Sequence, residues 1–345
     1  MLFILTSYIM CGKIVFSDGD FIMKIALITT GGTVSCQVGE DGLAPCSTPQ
    51  FARILINTLP DSISRQIEIT PIPLMNIDST NNSSAEIKRL AYAVNAAFSD
   101  FDGIVITHGT DTMAYTAAML SAVLKNPPVP VVLTGSQRPL FSSDSDAPKN
   151  LAAAFSAAAD IRFKGIYIAF GNRVIAGRFA HKYDSLSDNA FVSVKEYAAE
   201  IADNGSLCNI FPKRNEGKYS FCPEIIPYAD KIANITVTPY TSPAVFSSLR
   251  HCSPKGLIIE GYGLGGIPEK LLDTISQLVS DGVTVLMISN CLYGGVSPSV
   301  YEVGTRALRT GVIFGDTMTL EATFAYLAEY IFSNEKSPHK ACTGR

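Results

Sequence analysis

Short runs rich in β-branched and apolar residues, at 24–30, 67–71, 103–107, 129–134 and 165–170, alternate with segments whose apolar residues recur at helical spacing. This alternation admits few folds. Strands separated by helices cannot pair as tight hairpins, so they lie parallel, with helices covering both faces of the sheet. The helical segments fall at 49–58, 84–98, 111–124 and 147–159, and the second shows its spacing in Ile87, Leu90, Ala91 and Val94. From about 198 to 230 the rhythm stops, and turn residues (DNGS, PKRNEGK) mark a linker. It resumes with strands at 232–239, 256–260 and 283–288 and helices near 244–250 and 268–279. Residues 301–332 read as two further helices and 333–345 as a frayed end.

The expected fold class is therefore α/β: a larger N-terminal domain with a mainly parallel sheet flanked by helices, plus a smaller C-terminal α/β domain. The boundaries read as 1–22 for an extension, 23–200 for an N-terminal catalytic domain, 201–230 for the linker, 231–335 for the C-terminal domain and 336–345 for the tail. With 345 residues the chain is long enough for two substantial cores, and 47% hydrophobic against 17% charged residues describes a globular protein. A net charge of −4 and no polybasic cluster make nucleic acid and anionic membranes poor partners. The cysteines Cys11, Cys36, Cys46, Cys208, Cys222, Cys252, Cys291 and Cys342 form no C-x-x-C pair and no zinc-ligand spacing, so reduced thiols in a reducing compartment are expected. The apolar stretch in MLFILTSYIMCGK is about ten residues, too short to cross a bilayer, and lacks a basic region before it. MKIALITTGG begins a strand at Met23, which makes the preceding residues an upstream extension or an alternative start.

Candidate chemistry lies at the strand ends. In VITHGTDTMAYTAAML, residues 105–120, Thr107, His108, Gly109, Thr110, Asp111 and Thr112 crowd the step from strand to helix. A helix cap needs only one such residue. In α/β proteins that step is at the carboxyl edge of the sheet, where free helix N–H groups hold anions and ligands bind. After the first strand, TTGGTVS places the hydroxyl of Thr33 beside Gly31 and Gly32, a combination suited to a nucleophile next to an oxyanion site. It is neither G-x-G-x-x-G nor a P-loop. The run Asp78, Ser79, Thr80, Asn81, Asn82 sits at the second edge, where turn formation and a cap at Ser83 or Ser84 explain part of it. Lys182 follows FGNRVIAGRFAH and acts as a base only where burial lowers its pKa beside a Thr hydroxyl and a carboxylate. There is no G-x-S-x-G elbow. His108, at a strand end, reads as a hydrogen-bonded packing residue more readily than as a triad histidine.

Taken together, TTGGTVS, IDST, ITHGTDTMAYTAAML, VVLTGSQRP and GRFAHK resemble the L-asparaginase family, in its cytosolic type I-like branch, over residues 24–333, with GDTMTLEA and SNCLYGG as weaker marks. The resemblance implies hydrolysis of the side-chain amide of L-asparagine to L-aspartate and ammonia, with no metal or organic cofactor. It also implies a cytoplasmic homodimer or homotetramer whose sites are completed across subunits. Carried over by position, Thr33 is the nucleophile, Thr110, Asp111 and Lys182 form a Thr-Lys-Asp set, and Ser79 and Thr80 take the substrate's α-carboxylate. Asp111 takes its α-ammonium, and Gly32 and Gly109 line the substrate. Three positions depart from the pattern. Leu43 stands where the family carries a lid tyrosine, a role Ser35 or a residue from elsewhere would have to assume. Tyr326 replaces a lysine common in type I relatives, and Thr80 a glutamine or serine. Leu43 also motivates an alternative, a catalytically weak amino-acid sensor of the same fold. Another is a glutaminase-type or tRNA-dependent amidotransferase subunit, for which the residues before Met23 are too few to form the added domain and the basic surface is missing.

Overall fold

The computed structural model describes residues 22–39, 42–45, 54–212, 217–300 and 302–336. Its N-terminal domain is built on strands β1 (Met23–Gly31), β2 (Ile67–Ile77), β3 (Gly103–Thr107), β4 (Pro130–Thr134) and β5 (Gly165–Phe170), which pair in parallel in the order β5-β4-β3-β1-β2. Beyond β5 the sheet continues antiparallel through β6 (Arg173–Ala176), β7 (Ala199–Ile201) and β8 (Leu207–Cys208).

The pleat sorts the side chains with period two. Ala26, Ile28, Ile104, Ile106, Val131 and Leu133 point into one core beneath helices α1 (Ser84–Ala97) and α2 (Met113–Val123). Their neighbours Ile25, Leu27, Val105 and Val132 point into the other, beneath the alanine-rich α3 (Ala147–Ala158). Burial on both faces is why these strands read as continuous apolar runs. The strand order reverses between β1 and β3, and in open α/β sheets the crevice outside the carboxyl ends of those two strands is where ligands bind.

The second strand is longer than residues 67–71, because it continues through Pro71 and Pro73 to Ile77. Proline ends a central strand but not an edge one, and β2 pairs only with β1. Within 201–230, which the sequence marks as a linker, lie β8, a short strand Ser220–Phe221 and the 3-10 helix Pro223–Lys231, whose Ile225 and Ile226 join the first core. Two-residue strands leave no periodicity to read, and the nine-residue helix winds as 3-10 with Pro227 inside it, which breaks the helical spacing. Of the predicted helix at 49–58, residues 54–57 are helical and 49–53 lie outside the described residues, as do 1–21 and 337–345.

The C-terminal domain holds a second parallel sheet, β9 (Ile232–Thr236), β10 (Gly256–Gly261), β11 (Thr284–Ser289) and β12 (Ile313–Phe314), in sequential order. One face packs Leu257, Ile259, Val285 and Met287 against α4 (Pro243–Cys252) and α5 (Leu272–Ser280). After the helix α6 (Glu302–Arg309), the strand β12 precedes α7 (Leu320–Lys336), so the region read as two helices contains a two-residue strand between them. α7 also includes 333–336, expected to fray. This helix lies between the domains: Leu327 and Ile331 pack on Ile258, Leu286 and Ile288, while Ala325 and Ala328 belong to the N-terminal core that includes Leu120 of α2. No helix among the described residues is long and apolar enough to cross a membrane. Leu327 is fully buried at this junction. Leu327→Ala is expected to cost about 2–5 kcal/mol, read as a lower urea midpoint.

Candidate active site

The turn after β1 is shaped by glycine. Gly31 and Gly32 have φ of 105° and 83°, conformations closed to most residues. A Cβ on Gly32 would lie 2.5 Å from both Cα and N of Gly109, and one on Gly109 would lie 2.5 Å from Oγ of Ser79. The Gly32 N–H donates to the carbonyl of Ile77 at 3.2 Å. The loops following β1, β2 and β3 are therefore packed closely together at the crevice where the strand order reverses.

Thr33, half-buried, opens the 3-10 turn Thr33–Ser35 immediately after this contact. Ser35 is buried and its hydroxyl donates to the Gly32 carbonyl at 2.9 Å, so it holds the turn together. A hairpin of Cys36–Gly39 with Gly42–Pro45 follows, and its register pairs Val38 with Leu43. At the end of β2, Asp78 accepts from the N–H of Thr80 at 2.9 Å and starts the 3-10 turn Ser79–Asn81. Ser79 is buried, and its carbonyl accepts from the Thr112 hydroxyl at 2.9 Å. Ser83 rather than Ser84 caps α1, in a capping box with Glu86.

The end of β3 supplies the densest polar contacts. Lys182 Nζ donates to Thr110 Oγ1 at 2.8 Å and to Asp111 Oδ1 at 2.5 Å. The lysine side chain is only 14% exposed, whereas the aspartate is 57% exposed, leaving part of its carboxylate open to a solute. Lys182 ends the short strand Ala180–Lys182, paired antiparallel with Phe191–Ser193. Thr110 Oγ1 also donates to Gln137 Oε1 at 3.4 Å. Gln137 carries no signal of its own in the sequence, although SQRP follows β4 in the family-like motif. Its Nε2 donates to the Ser187 carbonyl at 3.1 Å, and its backbone N–H donates to Asp146 Oδ2 at 2.9 Å. The amide is thus oriented with its oxygen toward Thr110.

Of the sequence candidates, Thr110, Asp111 and Lys182 are in direct contact, Gly32, Gly109 and Ser79 are stacked against one another, and Thr33 and Thr80 adjoin that stack through the backbone. His108 is buried, and its Nδ1 donates to the Gly109 carbonyl at 2.8 Å. Its Nε2 lies 3.0 Å from Thr116 Oγ1. With both nitrogens engaged it is a packing residue. Burial depresses its pKa. Tyr326 is exposed on α7 and stacks on Tyr330 with centroids 6.3 Å apart.

Comparison with known proteins agrees with this architecture. Residues 24–210 match the family described as Asparaginase, N-terminal, and residues 231–343 match the Glutaminase/Asparaginase C-terminal domain. The chain is 38% identical to an L-asparaginase of Thermococcus kodakarensis, over 88% of this chain and 92% of that protein. A solved structure of the thermostable L-asparaginase from the same organism superposes with a TM-score of 0.80, covering 89% of this chain and 92% of that one. A probable cytoplasmic L-asparaginase from Campylobacter jejuni superposes at 0.74 with 26% identity, over 90% and 95% of the two chains. A glutamyl-tRNA(Gln) amidotransferase subunit of T. kodakarensis is 33% identical over 88% of this chain and 70% of its own.

Gly32→Ala is expected to lower the unfolding free energy by more than about 3 kcal/mol, since backbone blocks the new Cβ at a positive φ. Gly282→Ala, also at positive φ but with nothing within 4 Å of its Cβ, should cost far less in the same urea titration. His108, with its folded pKa below the unfolded value of about 6.5, contributes stability that is present above that value and lost as pH falls through the folded pKa. His108→Gln should therefore flatten the acid side of the Tm-against-pH curve, even if its Tm at pH 8 is lower.

Proposed function

The chain belongs to the asparaginase family, and on that footing we propose how its sheet edge hydrolyses the side-chain amide of L-asparagine to L-aspartate and ammonia. Thr33 is the nucleophile. Its Oγ adds to the amide carbonyl carbon, and the developing oxyanion is held by backbone N–H groups of the glycine-flanked turn. Collapse of the adduct breaks the C–N bond, releases ammonia and leaves an ester on Thr33. A water molecule then adds to the ester, and aspartate departs as Thr33 recovers its proton.

Thr110, Asp111 and Lys182 serve the proton transfers. The Thr110 hydroxyl relays protons between the attacking oxygen, Lys182 and the departing nitrogen, while Asp111 holds the lysine with one oxygen. The other face of the same carboxylate takes the substrate's α-ammonium, and Ser79 with Thr80 takes its α-carboxylate. The observation that carries this reading is the lysine bridging Thr110 and Asp111 beside the Gly32–Gly109 contact. Leu43, in place of the family's lid tyrosine, belongs to the hairpin that follows the Thr33 turn, so the wild type turns over modestly for want of that hydroxyl.

The protein works as a cytoplasmic homodimer or homotetramer. The likeness to the C. jejuni protein supports the compartment. Strongly exposed Tyr240 and Tyr293 on the C-terminal domain supply apolar surface for a second copy. A second reading, ammonia supply for tRNA-dependent amidation, is favoured by the likeness to the T. kodakarensis amidotransferase, and stable copurification with a partner protein would support it.

Ammonia release from asparagine and glutamine tests the main reading. Both amides are needed, because one methylene is discriminated by only about 1–3 kcal/mol. Thr33→Ala and Lys182→Met should each lower kcat by roughly 10³-fold or more with the fold intact by circular dichroism. Leu43→Tyr should raise it. Tight aspartate binding with negligible turnover in the wild type would instead identify an amino-acid sensor.

A further inference from the structure

The proposed chemistry uses Lys182 but not its neighbour. The strand Ala180–Lys182 has only three residues in its ladder, too few to hold a side chain in place unaided. Successive side chains on a strand leave by opposite faces. Lys182 leaves toward Thr110 and Asp111, and His181 leaves toward the C-terminal helix α7, where its Nδ1 lies 3.0 and 3.3 Å from the two carboxylate oxygens of Glu321. The Glu321 side chain is 5% exposed and sits in the first turn of α7, where the helix dipole favours an anion.

That turn is itself fixed. Thr319 Oγ1 accepts from the N–H of Ala322 at 3.1 Å, and the Thr319 carbonyl accepts from the Thr323 hydroxyl at 2.7 Å. Thr319, Glu321 and Ala322 belong to the GDTMTLEA stretch, to which the reaction gives no part. Tyr115 of α2 packs its ring against Phe324 with centroids 6.1 Å apart. α2 begins two residues after Asp111, so α7 backs both the lysine and the residues it contacts.

We propose that His181 and Glu321 are positioning residues for Lys182, a clamp with a half-buried histidine on a buried carboxylate that pins the lysine-bearing strand to α7 and keeps the amine on Thr110 and Asp111. The proposal rests on Lys182 belonging to the catalytic set. Groups facing the clamp are Glu260 and Tyr115. The Tyr115 hydroxyl is pushed up to about 12, first by burial and then by Glu321 and Glu260. His181 is raised, first by its hydrogen bond to Glu321 and against the effect of burial. A raised histidine contributes fully below its unfolded pKa of about 6.5, and the contribution is lost as pH rises through the folded value.

The test compares Glu321→Ala, Glu321→Gln and Leu327→Ala with the wild type, using kcat and KM for ammonia release across pH 6 to 9. Misplacing a reacting group by about an ångström costs up to roughly 10²-fold in rate. Glu321→Ala is expected to lower kcat about tenfold with KM changed less than about twofold, and to alter the shape of the kcat–pH profile above about pH 6.5. Glu321→Gln, whose amide oxygen still accepts from Nδ1–H, should restore most of kcat. Leu327→Ala weakens the same helix without touching His181 and should leave kcat and its profile unchanged below its Tm. Unchanged kcat and profile in folded Glu321→Ala would overturn the clamp while leaving the amidohydrolase intact, and so would an equal change in Leu327→Ala. A wild type that releases no ammonia from either amide would remove the amidohydrolase reading, and the clamp with it.

Discussion

The chemistry proposed for this protein depends on a contact between two glycines, Gly32 and Gly109. Gly32 and Gly109 let the loops after β1 and β3 meet without side chains between them, and Ser79 closes on Gly109 from the third loop. The parallel sheet brings the strand ends to one edge, but a sheet alone leaves neighbouring loops a side chain's width apart. Removing two Cβ atoms removes that width. Thr33 then follows one glycine and Thr110 the other, which is why residues far apart in sequence share an edge.

Much of the fold is legible in the sequence. Period-two burial on both faces of the central strands leaves continuous apolar runs, and β3 and β5 are readable to the residue in GIVIT and GIYIAF. What escapes has physical causes. β2 extends past its prolines because it is an edge strand, and edge position is not visible in a single strand's sequence. β8 and β12 have two residues each, below any period. At the site, Thr110 and Asp111 are readable from their place at a strand end, but Lys182 is tied to them only through a family motif, since a lysine 71 positions from its aspartate carries no local signal. Gln137 escapes because an amide shows no chemistry until its neighbours fix which end faces the site. His108 reads as packing from its place at a strand end, and the structure supplies the reason in its two occupied nitrogens.

The helix α7 gives the C-terminal domain a part in this arrangement. Its buried residues divide between two cores, one from each domain, so it covers a face of the C-terminal sheet and packs against α2 of the N-terminal domain. A domain with no residue among Thr33, Thr110, Asp111 and Lys182 therefore still determines how firmly the lysine-bearing strand is backed.

The prolines of β2 have an effect beyond the length of the strand. Pro71 and Pro73 are two residues apart, so both present their missing N–H groups on the same side, and pairing with β1 continues past each of them. That side is the outer one. Another strand approaching it would find donors absent at alternate positions, which discourages edge-to-edge growth of the sheet between molecules. Pairing of this edge with a strand of another molecule is thereby disfavoured.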